Sequence, residues 1–208
     1  MTLDDATLTS RLAATLPTAR WFGDKAAGIE GVTVRERVAL PADALLAGPP
    51  AELALVDVRL AGRDTDACYV AVVDPDGVDV AAAPPAARAL LGVVLDGATL
   101  AGRSGTFSGH PSAAATADRE LLPPAGVAVS PAGGDASNTS LIVHAPAGDW
   151  VIKLFRRCRA GIQPEVEMGE FFAATSWHGT PRLCGWLGYG PAGGADADGT
   201  IAIATVDR

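Results

Sequence analysis

The chain has 208 residues, with 16 Lys+Arg against 24 Asp+Glu, a formal net charge of −8, 49% hydrophobic and 19% charged residues. That is one large domain or two small ones, long enough to bury a core without staples and too apolar to stay disordered. The acidic balance argues against nucleic acid and an anionic membrane surface, both of which recruit clustered Lys and Arg, and no apolar run reaches the roughly 18 residues of a membrane span.

The N-terminal Met-Thr-Leu-Asp-Asp is acidic where a secretory signal is basic. Cys68, Cys158 and Cys184 are far apart in sequence and odd in number, which fits reduced thiols in a cytoplasmic protein. Asp4 and Asp5 precede Leu8, Leu12 and Leu16, so residues 3–16 read as an amphipathic helix ended by Pro17. An aromatic and basic turn, Ala19 to Lys25, follows. Segments 29–40, 52–61 and 67–73 read as strands, the last stopped by Asp74-Pro75-Asp76-Gly77, and 84–92 as a short helix opened by prolines. These make an α+β unit over about 1–92. Residues 93–125 read as a connector holding a strand or short helix that the pattern does not position.

The remainder is more informative. Residues 126–130, 139–144 and 150–155 read as strands joined by the turns 131–138 and 146–149. Pro164 opens a helix that Glu165 to Trp177 supplies, and 183–189 and 200–206 are two further strands around a Gly-rich loop. The order is strand, glycine-containing turn, strand, strand with a central lysine, helix with glutamates, strand, strand. Such an order can make half of an ATP site: a tight turn lays main-chain N–H groups against phosphates, the lysine reaches them as a point charge, and a helix glutamate holds the lysine. Lys153 sits among Val151, Ile152, Leu154 and Phe155, where a buried ammonium needs an anionic partner. Alternation equally permits Lys153 to face water. The turn is neither a Walker loop nor the Gly-x-Gly-x-x-Gly of protein kinases, and by itself reads as an ordinary hairpin.

Gly134-Asp-Ala-Ser-Asn-Thr-Ser140, Trp150-Val-Ile-Lys-Leu-Phe-Arg-Arg157, Gly161-Ile-Gln-Pro-Glu-Val-Glu-Met-Gly169, Thr180-Pro-Arg-Leu-Cys-Gly-Trp-Leu-Gly-Tyr189 and Ala19-Arg-Trp-Phe-Gly-Asp-Lys25 together resemble the bacterial maltokinases and the related actinobacterial glucosamine kinases, in that family's order. The resemblance implies an α+β, aminoglycoside-phosphotransferase-like kinase: an N-terminal cap at 1–92, then at 93–208 an N-lobe-like antiparallel sheet with one αC-type helix, ending at the hinge. It implies ATP as cofactor, a small sugar as acceptor, and Mg²⁺ held outside this chain. Ser137, Asn138, Thr139 and Ser140 would border the phosphates, Lys153 would bind them, and Glu167, or Glu170 one turn on, would pair with Lys153. Glu165, at the helix start, reads as a surface acid favoured by the dipole. Ala204 to Arg208, including Val206 and Asp207, would begin the hinge whose main chain reads adenine.

Asp135-Ala136 stands where the maltokinases carry Glu-Gln, and Thr205-Val206-Asp207 where they carry Gln-Glu-aromatic, which tilts the acceptor from maltose toward glucosamine. His178-Gly179-Thr180 is not a His-x-Asp catalytic loop. The base and Mg²⁺ ligands are expected in a C-terminal lobe beyond Arg208, leaving no catalytic residue and no metal ligand in this chain, which is expected to be inactive unaided. A non-catalytic binding or regulatory module that kept the fold is the competing reading. His110 and His144 lack partners at metal-ligand spacing. The Arg156, Arg157, Arg159 cluster beside Cys158 reads as a solvated strand end that could draw in an anion or lower the thiol pKa. Trp21-Phe22 reads as cap core or contact, with a carbohydrate platform as the alternative.

Overall fold

The first helix, α1 (Asp5–Thr15), starts on Asp4, whose Oδ1 accepts the Thr7 N–H at 2.7 Å and so satisfies a donor the helix itself leaves unpaired. A 3₁₀ turn at Leu16–Thr18 containing Pro17 ends it. Leu8, Leu12, Leu16 and Phe22 form one buried stripe. In this computed structural model the described residues are 3–42, 48, 50–113, 115–122, 127–133, 137–175, 179–191 and 199–208.

Strands β1 (Ile29–Ala39), β2 (Glu52–Leu60) and β3 (Ala67–Val73) form an antiparallel meander. Every residue of β3 is buried, so this sheet is covered on both faces. Val56, Val58, Tyr69 and Ala71 pack toward α1. Leu53, Leu55, Val70 and Val72 point into the main core. Helix α2 (Pro84–Leu95), opened by two prolines, buries nine of its twelve residues, all but Arg88 in that core. It continues past residue 92, where sequence composition puts the end of the first unit, and its residues join the first sheet to Phe107, Leu141, Trp150 and Ile152 of the second.

The segment read as a connector holds β4 (Thr99–Ala101), β5 (Gly105–Pro111) and α3 (Ala115–Leu121). Then come β6 (Ala128–Pro131), β7 (Thr139–His144), β8 (Trp150–Leu154), the two-residue β9 (Arg157–Cys158), α4 (Pro164–Ala173), β10 (Leu183–Pro191) and β11 (Ile201–Asp207). The second sheet has seven strands in the order β4-β5-β10-β11-β8-β7-β6, with neighbours antiparallel. The architecture is therefore α+β with two antiparallel sheets.

Two joints hold the sheets together. β9 leaves the second sheet to pair with β3, setting Cys158 opposite Cys68 and Arg157 opposite Tyr69. The other joint is Glu36. A bulge between Val34 and Glu36 sets Glu36 opposite Leu55, turning its side chain from the α1 face toward the main core. There it is 0% exposed and accepts N–H bonds from Arg103 (2.7 Å), Ser104 (2.8 Å) and Arg37 (3.1 Å), plus the Ser104 hydroxyl at 3.1 Å. Burial alone would push its carboxyl up, but these donors outweigh it and hold it below the ordinary 4.5. Gly102 makes room for it: a Cβ there would lie 2.5 Å from the Glu36 carboxyl carbon.

A Glu36→Gln variant keeps the shape but turns an amide N–H₂ toward donors. We expect it to lose roughly 2–4 kcal/mol of stability, read as a lower urea midpoint. The wild-type advantage should be present above the ordinary carboxylate pKa and fade as pH falls through the depressed value. A loss under about 0.5 kcal/mol, the range of ordinary surface substitutions, would deny Glu36 this role.

Candidate functional site

In β8, Trp150, Ile152 and Leu154 are buried while Val151 and Lys153 are half-buried, the alternation of a strand with one face in the core. The ladders set Lys153 opposite Ser140 of β7 on one side and Thr205 of β11 on the other. Thr205 in turn faces Trp186 of β10, which faces His110 of β5. Ser140, Lys153, Thr205, Trp186 and His110 thus form one cross-strand row. The His110 ring stacks on Trp186, with centroids 3.9 Å apart and planes 12° apart. Burial pulls the His110 pKa down and the Glu170 charge pushes it back.

Helix α4 lies over this face. Val166 packs with Phe155, Ala202 and Trp186. Lys153 Nζ donates to Glu165 Oε1 at 2.8 Å, and Trp186 Nε1 donates to Glu170 Oε1 at 2.9 Å. The expected lysine partner was Glu167 or Glu170, and the structure corrects this to Glu165. The reason is helix rise. Five residues climb about 7.5 Å against about 4.8 Å between strands, so a first turn seated over β8 puts Glu170 beyond β11, at β10. The first turn is itself fixed by Pro164 and by the Gln163 side chain, which accepts the Glu165 N–H at 2.7 Å. Glu167 lines a separate cleft of about 240 Å³ with Gln163, Trp186 and Thr200.

The Lys153 side chain is 25% exposed and that of Glu165 46%. A pair this open is worth at most about 1 kcal/mol, so it orients the ammonium more than it stabilises the fold. Val206 and Asp207 do not form an open connector. β11 is a central strand paired on both sides, Val206 between Ile152 and Gly185, with its side chain in the core. Arg208 continues the pairing by exchanging main-chain bonds with Arg182. Asp207 is set back from water: burial pushes its carboxyl up to about 6, the Thr205 hydroxyl pulls it down, the Glu165 charge raises it and Lys153 lowers it.

The serine-rich turn divides between two faces. Ser140 shares the Lys153 row. Thr139 pairs with Leu154 on the opposite face, where its Oγ1 accepts from Arg156 Nε at 2.7 Å. Ser137 and Asn138 lead into β7, and Gly134 to Ala136 lie outside the described residues. Arg156 is no solvated strand end. It is 2% exposed, forms an ion pair with Asp79 at 2.7 Å, donates to the Val70 carbonyl at 3.3 Å and lies 4.4 Å over the Trp21 ring. Burial lowers its pKa and Asp79 raises it. The strand phase carried this signal: 150, 152 and 154 face inward, and 156 is next. A cleft of about 310 Å³ opens here among Arg20, Trp21, Asn138, Thr139, Ser140 and Arg156. Phe22 is buried in the α1 core, as expected. Arg157 pairs with Asp24 at 3.4 Å, and Arg159 is exposed.

Asp118, also not anticipated, is buried and takes two bonds from Arg182 at 2.7 and 2.9 Å and one from Arg208 at 3.3 Å, fixing the end of β11. His144 lies between Asp149 at 3.0 Å and Ser130 at 2.8 Å. His178 lies outside the described residues. Among the described residues no three His, Cys, Asp or Glu side chains group as metal ligands, and no helix is long and apolar enough to cross a membrane. The sequence matches no family model and no curated protein.

Asp207 carries a pH signature. The folded protein holds its proton up to about pH 6 against an ordinary 3.8, so its contribution to stability is full below the lower value and is lost as pH rises through the upper one. Asp207→Asn removes the penalty of the buried charge. We expect the variant to gain several degrees of thermal midpoint on the wild type between pH 5 and pH 7.5, as read by scanning calorimetry. A constant difference across that range would contradict the assignment.

Proposed function

We propose that this chain carries the nucleotide-binding half of an ATP-dependent sugar kinase, which transfers the γ-phosphate of ATP to a small sugar. Glucosamine is preferred to maltose as acceptor because Asp135-Ala136 and Thr205-Val206-Asp207 depart from the maltokinase residues. The observation that carries the reading is Lys153: an ammonium on a strand beside a serine-rich hairpin, tethered by Glu165 from the next helix and directly opposite Ser140. An ammonium and a serine hydroxyl on one face form a donor set suited to phosphate oxygens. The order of elements from β6 to β11 supports it further, since apart from the two-residue β9 it follows the strand, turn, strand, lysine strand, helix, strand, strand order expected of half an ATP site.

In this reading Lys153 binds phosphate and Glu165 sets where its ammonium points. Ser140, with Ser137 and Asn138 before it, borders the phosphates. Thr139 takes another part: by accepting from Arg156 it anchors the hairpin to the first sheet. ATP, when bound, supplies the transferable γ-phosphoryl group and Mg²⁺ neutralises developing charge. In this reading no residue of this chain is assigned the part of the carboxylate that would orient the sugar hydroxyl or of a Mg²⁺ ligand.

Titration of the chain with trinitrophenyl-ATP tests this reading. We expect saturable binding, weakened tenfold or more by Lys153→Met and several-fold by Glu165→Gln, with Glu167→Gln unchanged. We also expect glucosamine-dependent ADP release by this chain to stay at background. Equal binding by the wild type and Lys153→Met would overturn the nucleotide site, and sugar-dependent turnover would overturn the expectation that this chain is inactive unaided.

A further inference from the structure

Cys68 and Cys158 are distant in sequence but opposite each other across the β3–β9 ladder. The Val70 N–H donates to the Arg156 carbonyl at 2.8 Å, two residues along each strand, so 68 and 158 occupy a hydrogen-bonded antiparallel position. Such positions have Cα atoms about 5.5 Å apart, inside the window of roughly 4.4–6.8 Å that a disulfide spans. Both thiols are free and buried, Cys68 9% and Cys158 4% exposed, and both belong to the main core. The β3–β9 pairing is also where the second sheet's chain docks on the first.

We propose that Cys68 and Cys158 are a redox-active dithiol that closes reversibly to an intramolecular disulfide under hydrogen peroxide, stapling the first sheet to the segment that carries Arg156. Cys68 is the attacking thiol. It is the more exposed of the two, and Asp57, opposite it in the β2–β3 ladder, has a partly exposed side chain held by Arg35, which leaves that end of the pair open to a small oxidant. The neighbouring Cys158 thiol, whose Sγ–H donates to the Phe155 carbonyl at 3.1 Å, and the Arg35 charge also lower its pKa. The Cys68 sulfur takes one peroxide oxygen as the O–O bond breaks, giving a sulfenic acid and one water. The Cys158 sulfur then attacks the Cys68 sulfur, the S–OH bond breaks, and a second water leaves with the Cys158 proton. Two thiols are oxidised by two electrons and one peroxide is reduced to two waters. Cys184 is the internal control: it is buried beside Asp118 and its thiol is pushed up to about 12, first by that burial.

The test is exposure of the folded, reduced chain to excess hydrogen peroxide, then denaturation, alkylation and intact-mass and peptide mapping. We expect a species two hydrogens lighter that alkylates once, at Cys184, with a peptide linking positions 68 and 158. A thiol reductant should restore three alkylations, and the oxidised form should show a raised thermal midpoint because a long loop is closed. Cys158→Ala should instead leave a Cys68 sulfenic acid that dimedone traps. Three alkylatable thiols after oxidation, oxygen additions without a linked peptide, or a link involving Cys184 would each overturn the proposal. The wild-type map decides the matter even where the variant folds poorly.

Discussion

A single buried guanidinium sets the relation between the two sheets. Arg156 enters the interior on the inward phase of β8, and burying it is tolerable only because each side of it meets a partner. Asp79 and the Val70 carbonyl come from the first sheet's segment, Trp21 from the turn after α1, and Thr139 from the hairpin of the second sheet. Removing one partner from such a buried pair costs several kcal/mol, whereas the intact arrangement adds little net stability. Arg156 is therefore better understood as a register pin than as glue: it allows one placement of the serine-rich hairpin relative to the first sheet. Glu36 does the same at the other end of the interface, where a carboxylate is surrounded by main-chain donors from the β4–β5 turn.

The contrast between these two groups and the Lys153–Glu165 pair is informative. Arg156 and Glu36 are buried and multiply bonded, so they fix structure. Lys153 is partly exposed and its bond to Glu165 is weak enough to rearrange when an anion arrives. A phosphate-binding ammonium needs this balance, since a lysine locked in a buried ion pair would have to break several kcal/mol of interaction before meeting a ligand. The weakness of the pair is thus compatible with the role proposed for it.

Much of the order of elements was legible in the sequence. Residues 67–73 and 139–144 alternate or run apolar between clear turn signals, and α1 and α4 carry a cap or an opening proline, so local chemistry specifies them. β4 and β5 were not legible because their Gly, Ser and Thr content conceals the strand phase, and Phe107 alone supplies a large buried side chain between them. The lysine was identified but its partner was not, because the helical wheel says which residues share a face and nothing about which strand each stands over. The meeting of Cys68 with Cys158 depends on a ladder of two residues, and no spacing rule reaches across the intervening chain.

The Lys153 row also has an electrostatic problem to solve. With Glu165 and Asp207 both ionised, one cation stands among two carboxylates, the wrong sign for attracting a polyanion. Two features work against this. The first turn of α4 carries Glu165 to Lys153 and so brings the positive end of the helix dipole, about half a charge, close to the row. Asp207 is half-buried, and that desolvation holds its proton to about pH 6; any further negative charge placed beside Lys153 would raise that value again. A nearby polyanion and the Asp207 proton therefore favour one another. The carboxylate that burial makes costly is also the one most easily neutralised, and the row can approach a net positive charge without altering a residue.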